Sequence, residues 1–216
     1  MIRRLFPFVF CAVALAGFSL PAAWADGLES LENFMREARS GRADFTQVVT
    51  SPGRDGQPPR SKTSSGTFEF QRPSRFRFDY KKPFEQTLVA DGQTLWMHDP
   101  DLNQVTARRQ AQALGATPAA IIAAAPDLQA LRRDFDLAPA PDRDGLQWVQ
   151  ATPRQKEGQL TRVLVGFRGE QLASLEILDS FGQRSVLSFS RMALNQPLPA
   201  QTFEFTPPKG ADIIRQ

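Results

Sequence analysis

Few side chains in this chain have the type and spacing to do chemistry. There is a single histidine, His98, which follows Trp96 and Met97 and precedes Asp99 and Pro100. A hydrolytic triad needs a positioned nucleophile beside such a base, and no Gly-x-Ser-x-Gly elbow accompanies it. One imidazole alone specifies no mechanism, so His98 reads as a partly exposed residue beside a turn. Asp91, Asp99 and Asp101 occupy turn sequences without histidine or cysteine companions, a pattern that predicts no metal site. Walker loops and Gly-x-Gly-x-x-Gly fingerprints are missing too. The expectation is a protein that is not an enzyme and needs no cofactor.

The N-terminal residues set the compartment. Arg3 and Arg4 precede an apolar run from Leu5 to Leu20, and Ala23-Trp24-Ala25 supplies a small-x-small cleavage pattern. Residues 1–25 therefore read as a cleavable signal peptide, with residues 26–216 as one domain. Cys11 lies inside the apolar run, away from the position at which a lipoprotein is acylated. Cleavage removes this only thiol, so the exported domain has no disulfide and no lipid anchor, and its stability must come from packing. The formal charge of +3 comes from 26 basic and 23 acidic residues, and leaving out Arg3 and Arg4 brings it to +1. That balance argues against nucleic acid as a partner.

Along the domain, Leu28, Leu31, Met35 and Ala38 fall at helical spacing, which predicts a helix over Leu28–Ser40, with Asp26 and Glu29 at its start and Gly41 at its end. Period-two patterns follow. Strands are predicted at Ala43–Val49, Thr67–Gln71 and Arg75–Tyr80, with a polar loop from Ser51 to Ser65 and a turn at Arg72-Pro73-Ser74. Asp91-Gly92 joins Glu85–Ala90 to Gln93–His98 as a hairpin, and Leu102–Ala107 continues the meander. Thr117-Pro118 opens a short apolar helix that Pro126 stops, with one or two further turns over Asp127–Arg133. Strands resume at Phe135 and recur at Leu146–Ala151, Leu160–Phe167, Leu172–Leu178, Ser185–Ser190 and Thr202–Phe205.

The result is an α+β fold, a long antiparallel sheet that must curl and be covered on one face by the helices. Aromatic faces at Phe68 and Phe70, and at Phe76, Phe78 and Tyr80, suit an ordinary core. They suit a cavity for lipid equally, and periodicity leaves both open.

Five segments carry a further resemblance: Phe45-Thr46-Gln47, Arg72 to Phe78, Asp91 to Trp96, the Thr117-Pro118 helix start, and Phe203-Glu204-Phe205-Thr206-Pro207-Pro208. In order and spacing, over nearly the whole domain, they resemble the outer-membrane lipoprotein carrier (LolA) family. Two departures stand out, a longer loop around Arg54 to Lys62 and His98 where an aromatic is commoner. The resemblance implies an incomplete, strongly curved antiparallel β-barrel closed by a lid of short α-helices. It implies a monomeric periplasmic chaperone that takes acylated lipoproteins from an ABC-type releasing complex in the inner membrane and passes them to an outer-membrane receptor. Each methylene exposed to water costs about 0.8 kcal/mol, so acyl chains need such shelter.

On this reading Phe45, Phe68, Phe70, Phe76, Phe78, Leu95 and Trp96 are the cavity candidates from the sheet, and Leu31, Met35, Ile121 and Ile122 those from the lid. By residue type Arg72 would be a solvated turn arginine beside Arg75 and Arg77. The resemblance implies instead a latch that donates hydrogen bonds to backbone carbonyls of the lid helices. The rival readings are a lipoprotein-sensing regulatory domain of the same half-barrel fold and a hydrolase acting on lipid or peptide.

Overall fold

Asp26 accepts a hydrogen bond from the Glu29 amide at 2.8 Å and starts helix α1, Gly27–Glu37. We describe residues 26–53, 56–113, 125–155 and 158–216 of a computed structural model. The N-terminal segment expected to be a signal peptide lies outside these residues, as do the Thr117-Pro118 helix start, Ile121 and Ile122.

The helix ends earlier than its spacing predicts, because Ala38 is extended while its amide still bonds the Phe34 carbonyl. Gly41 is not the terminator. It lies in a strand, where a Cβ would collide with the Phe70 ring. Gly27 has a matching role at the other end of α1, since a Cβ there would fall 2.5 Å from the Trp148 carbonyl oxygen. Both glycines let backbone and core approach closely.

The strands are β1 Ser40–Ser51, β2 Arg60–Gln71, β3 Arg75–Lys82, β4 Gln86–Asp91, β5 Thr94–Asp99 and β6 Gln104–Arg109. Two short helices follow, α2 Gln110–Ala113 and α3 Leu128–Asp134. Then come β7 Phe135–Arg143, β8 Leu146–Pro153, β9 Leu160–Arg168, β10 Gln171–Asp179 and β11 Arg184–Leu194, and finally a 3-10 turn Ala200–Phe203 and β12 Asp212–Arg215. They form one sheet in the order β12-β6-β5-β4-β3-β2-β1-β11-β10-β9-β8-β7. The β1–β11 pairing, with Phe45 opposite Phe189, joins two meanders. Strands β12 and β7 end the sheet without meeting, so the barrel is incomplete. Pro139 and Pro141 sit in β7, where an edge strand tolerates missing amide donors.

Two strand boundaries differ from expectation. The loop drawn from Ser51 to Ser65 is much shorter, because β2 begins at Arg60 and pairs residue for residue with β1. Thr50 and Ser61 face each other there with hydroxyls 2.9 Å apart. Backbone groups make the ladder whatever the side chains, so serines and threonines extend it without a hydrophobic alternation to detect. Thr202–Phe205, expected as a strand, is instead the 3-10 turn and an extended tail, and β12 pairs parallel with β6 a few residues later.

Packing concentrates on the inner face. Phe34 of α1 lies 6.0 Å from Phe70 and 5.8 Å from Phe167, while Phe68 stacks on Phe78 at 4.5 Å. Phe45 meets Phe78 and Tyr80 edge-on. Offset and edge-to-face arrangements of this kind stabilise beyond the area they bury.

Candidate functional site

Arg72 occupies the β2–β3 turn and points under the helical cover. Its Nε donates to the carbonyl of Ala38 at 2.8 Å, and its Nη1 donates to the carbonyl of Ala125 at 2.5 Å. The guanidinium carbon lies 5.6 Å from the ring centroids of both Phe34 and Phe70, so the cation is sandwiched by aromatics. Burial lowers its pKa from the usual arginine range to about 10. The side chain therefore remains charged at neutral pH. Nη2 is buried without a hydrogen-bond partner among the described residues.

Two residues that sequence reasoning missed hold this arrangement. Asn195, just after β11, has a left-handed backbone with φ 57°. Its Oδ1 accepts from the amides of Arg39 at 2.9 Å and Ser40 at 3.4 Å, and its Nδ2 donates to the Glu37 carbonyl at 3.0 Å. The Asn195 amide bonds the Ser40 carbonyl and the Arg72 amide bonds the Arg39 carbonyl, so the α1–β1 junction is fastened from both sides. Gln110 is buried, donates to the Ser74 carbonyl and accepts from the Gly92 amide, which ties the Arg72 turn to the β4–β5 turn. An Asn after a strand and a Gln at the start of a helix are signals too common to single out.

Of the other expected residues, Phe45, Phe68, Phe70, Phe76, Phe78, Leu95, Leu31 and Met35 all enter one buried cluster. Trp96 is a correction. It lies between Leu95 and Met97, which both face that cluster, so the pleat turns it to the opposite face. There its indole donates to Asp91 at 3.0 Å and packs 5.6 Å from Phe205. His98 shares that outer face, 5.8 Å from Phe205. Burial raises the Asp91 pKa, but hydrogen bonds from Thr94, Gln93 and Trp96 outweigh it, and the net shift is downward. Arg77 pairs with Asp79 and reaches toward the Thr202 carbonyl, so it is no second clamp. Among the described residues no group of three His, Cys, Asp or Glu is placed to hold a metal ion.

At the opposite end of the long strands the inner face turns polar. A cavity of about 670 Å³ opens there, lined by Gln47, Val49, Lys62, Tyr80, Phe84 and Gln86 among others. Tyr80 donates to Gln47, which donates to Ser185, each at 2.8 Å. Burial pushes the Tyr80 phenol up to about 12. The interior thus grades from packed phenylalanines under α1 to a hydrogen-bonded mouth.

A half-open barrel with an aromatic interior, a polar mouth and a cover clamped by one arginine is a lidded half-barrel. Residues 36–206 match the family described as "Outer membrane lipoprotein carrier protein LolA". An outer-membrane lipoprotein carrier protein of Albidiferax ferrireducens is 67% identical over 210 residues, which cover 95% of this chain and 97% of that one. A protein of the same description from Methylibium petroleiphilum is 57% identical over 195 residues, covering 90% and 92%. The chain belongs to the outer-membrane lipoprotein carrier family. A solved LolA-superfamily protein from Nitrosomonas europaea is similar at 13% identity and TM-score 0.46, over 83% of this chain and 98% of that one.

Proposed function

We propose that this protein carries lipoproteins, sheltering their acyl chains against the inner face of the half-barrel. The observation that supports this most is the Arg72 clamp: a charged side chain is held inside an aromatic core only to fasten two separate stretches of the helical cover. A core with no need to open has no use for a buried charge there, since an apolar residue commonly fills such a place with no loss of stability. Breaking the bond to Ala125 lets the stretch before α3 move away from Phe34 and Phe70, and the exposed phenylalanine surface receives acyl chains. Closure then favours release, since it restores charge-assisted hydrogen bonds worth roughly 1.5–3 kcal/mol each.

On this reading residues 1–25 direct export to the periplasm and are removed, leaving residues 26–216 as the working domain. Cargo comes from a releasing complex of the inner membrane and passes to a receptor of the outer membrane. The test is mass spectrometry of the protein isolated from periplasm. Co-purifying acylated lipoproteins support the reading, and a persistently empty protein contradicts it.

A further inference from the structure

Among the described residues, the three most exposed large apolar side chains are not scattered. Phe84 is 60% exposed, Leu102 68% and Phe181 66%. They sit in the β3–β4, β5–β6 and β10–β11 turns respectively. The register puts all three turns at one end of the barrel: Lys82 pairs with Ser65, His98 with Thr87, and Arg184 with Thr50. That end is the mouth, and Phe84 and Leu102 line its cavity directly. Asp99 accepts from the Leu102 amide at 3.1 Å and Asp179 from the Phe181 amide at 2.9 Å, so two of the tips are held in a fixed shape.

Charge is distributed unevenly around this rim. Around Phe84, residues 57–64 and 81–86 contain Arg60, Lys62, Lys81 and Lys82 and one carboxylate, Glu85, whereas Asp99 and Asp101 flank Leu102 and Asp179 precedes Phe181. All four cations are exposed, and the Lys62 ammonium lies 5.1 Å from the centre of the Phe84 ring. An aromatic tip ringed by flexible cations is suited to a bilayer interface, where the ring enters the headgroup boundary and the cations meet lipid phosphates. Separate tips also fit a bilayer better than a folded protein, which needs a continuous complementary patch.

We propose that the Phe84 side of this rim docks on a bilayer surface containing anionic phospholipid, with Phe84 as the insertion point. The proposal rests on the carrier reading for its purpose: docking keeps the mouth at the membrane surface, where the releasing complex and the receptor reside, so cargo is handed over across a short path. The test uses the purified, empty protein and sedimentation with phosphatidylcholine vesicles, with and without phosphatidylglycerol. Binding is expected to the anionic vesicles only and to weaken as salt is added. Replacing Lys81 and Lys82 by Gln should weaken it roughly fivefold for each cation. Phe84→Ser should weaken it about tenfold, with an unchanged urea midpoint because the ring is already exposed.

A tryptophan at the same position, Phe84→Trp, should shift its emission to the blue on anionic vesicles. No binding to anionic vesicles at low salt, or equal binding by Phe84→Ser, overturns the proposal. Loss of receptor capture by Phe84→Ser without vesicle binding also overturns it and assigns the rim to a protein partner. Cargo takes no part in the assay, so a negative result leaves the carrier reading standing.

Discussion

Arg72 donates from Nη1 to the carbonyl oxygen of Ala125, 53 positions along the chain. Its Nε bond to Ala38 lies in a different setting, at the α1–β1 junction that Asn195 also fastens. One side chain thus ties a firmly held element to the stretch that precedes α3. On the proposed function, the bond to Ala125 is the one that breaks when cargo enters.

Asn195 separates the junction from the clamp. Asn195→Gly keeps the left-handed backbone but removes three side-chain hydrogen bonds. It should lower stability by about 1–3 kcal/mol. Asn195→Ala should cost more, since it adds strain at φ 57°. Urea unfolding of the two variants measures the order, and an alanine variant more stable than the glycine one would contradict this account of the junction.

Phe70 carries much of the packing beneath the cover, touching Phe34 and Phe68 and stacking on Arg72. Phe70→Ala should destabilise the empty protein by about 3–5 kcal/mol, as deletions of buried phenyl rings do. Denaturant midpoints measure this directly.

Tyr80 is the only tyrosine in the chain, so its ionisation can be followed without interference from another phenol. Its folded pKa of about 12 lies above the ordinary value of 10. Between those values the unfolded chain has lost the phenolic proton and the folded one retains it. The contribution of this group to stability is therefore full below pH 10 and declines as pH rises toward 12. Ultraviolet titration should show half-ionisation near 12 in the folded protein and near 10 in denaturant.

The contrast between Leu95 and Trp96 shows what the sequence could resolve. Alternation within β5 was legible, and so was the hairpin at Asp91-Gly92. Alternation fixes that neighbours face opposite ways without saying which face is inside, so Leu95 and Trp96 were both candidates and only Leu95 enters the cluster. Strand β2 was legible only where Phe68 and Phe70 alternate, since its serines and threonines pair without hydrophobic contrast. The partners of Arg72 were beyond sequence because they are backbone carbonyls, which any residue supplies. Its position was visible only through the family's pattern. Leu95→Asp should abolish lipid uptake, whereas Trp96→Ala should leave uptake intact and loosen the Phe205 seam. Binding of a fluorescent fatty acyl probe to both variants tests the assignment.

The central claim is that Arg72 drives release by favouring the closed cover. It is tested most directly by loading wild-type protein and Arg72→Leu with the same lipoprotein and measuring transfer to the outer-membrane receptor. The variant should load at least as well as wild type and transfer at least roughly tenfold less, the effect of losing a charge-assisted hydrogen bond worth about 1.5–3 kcal/mol. Transfer by Arg72→Leu at the wild-type rate and extent would contradict the account.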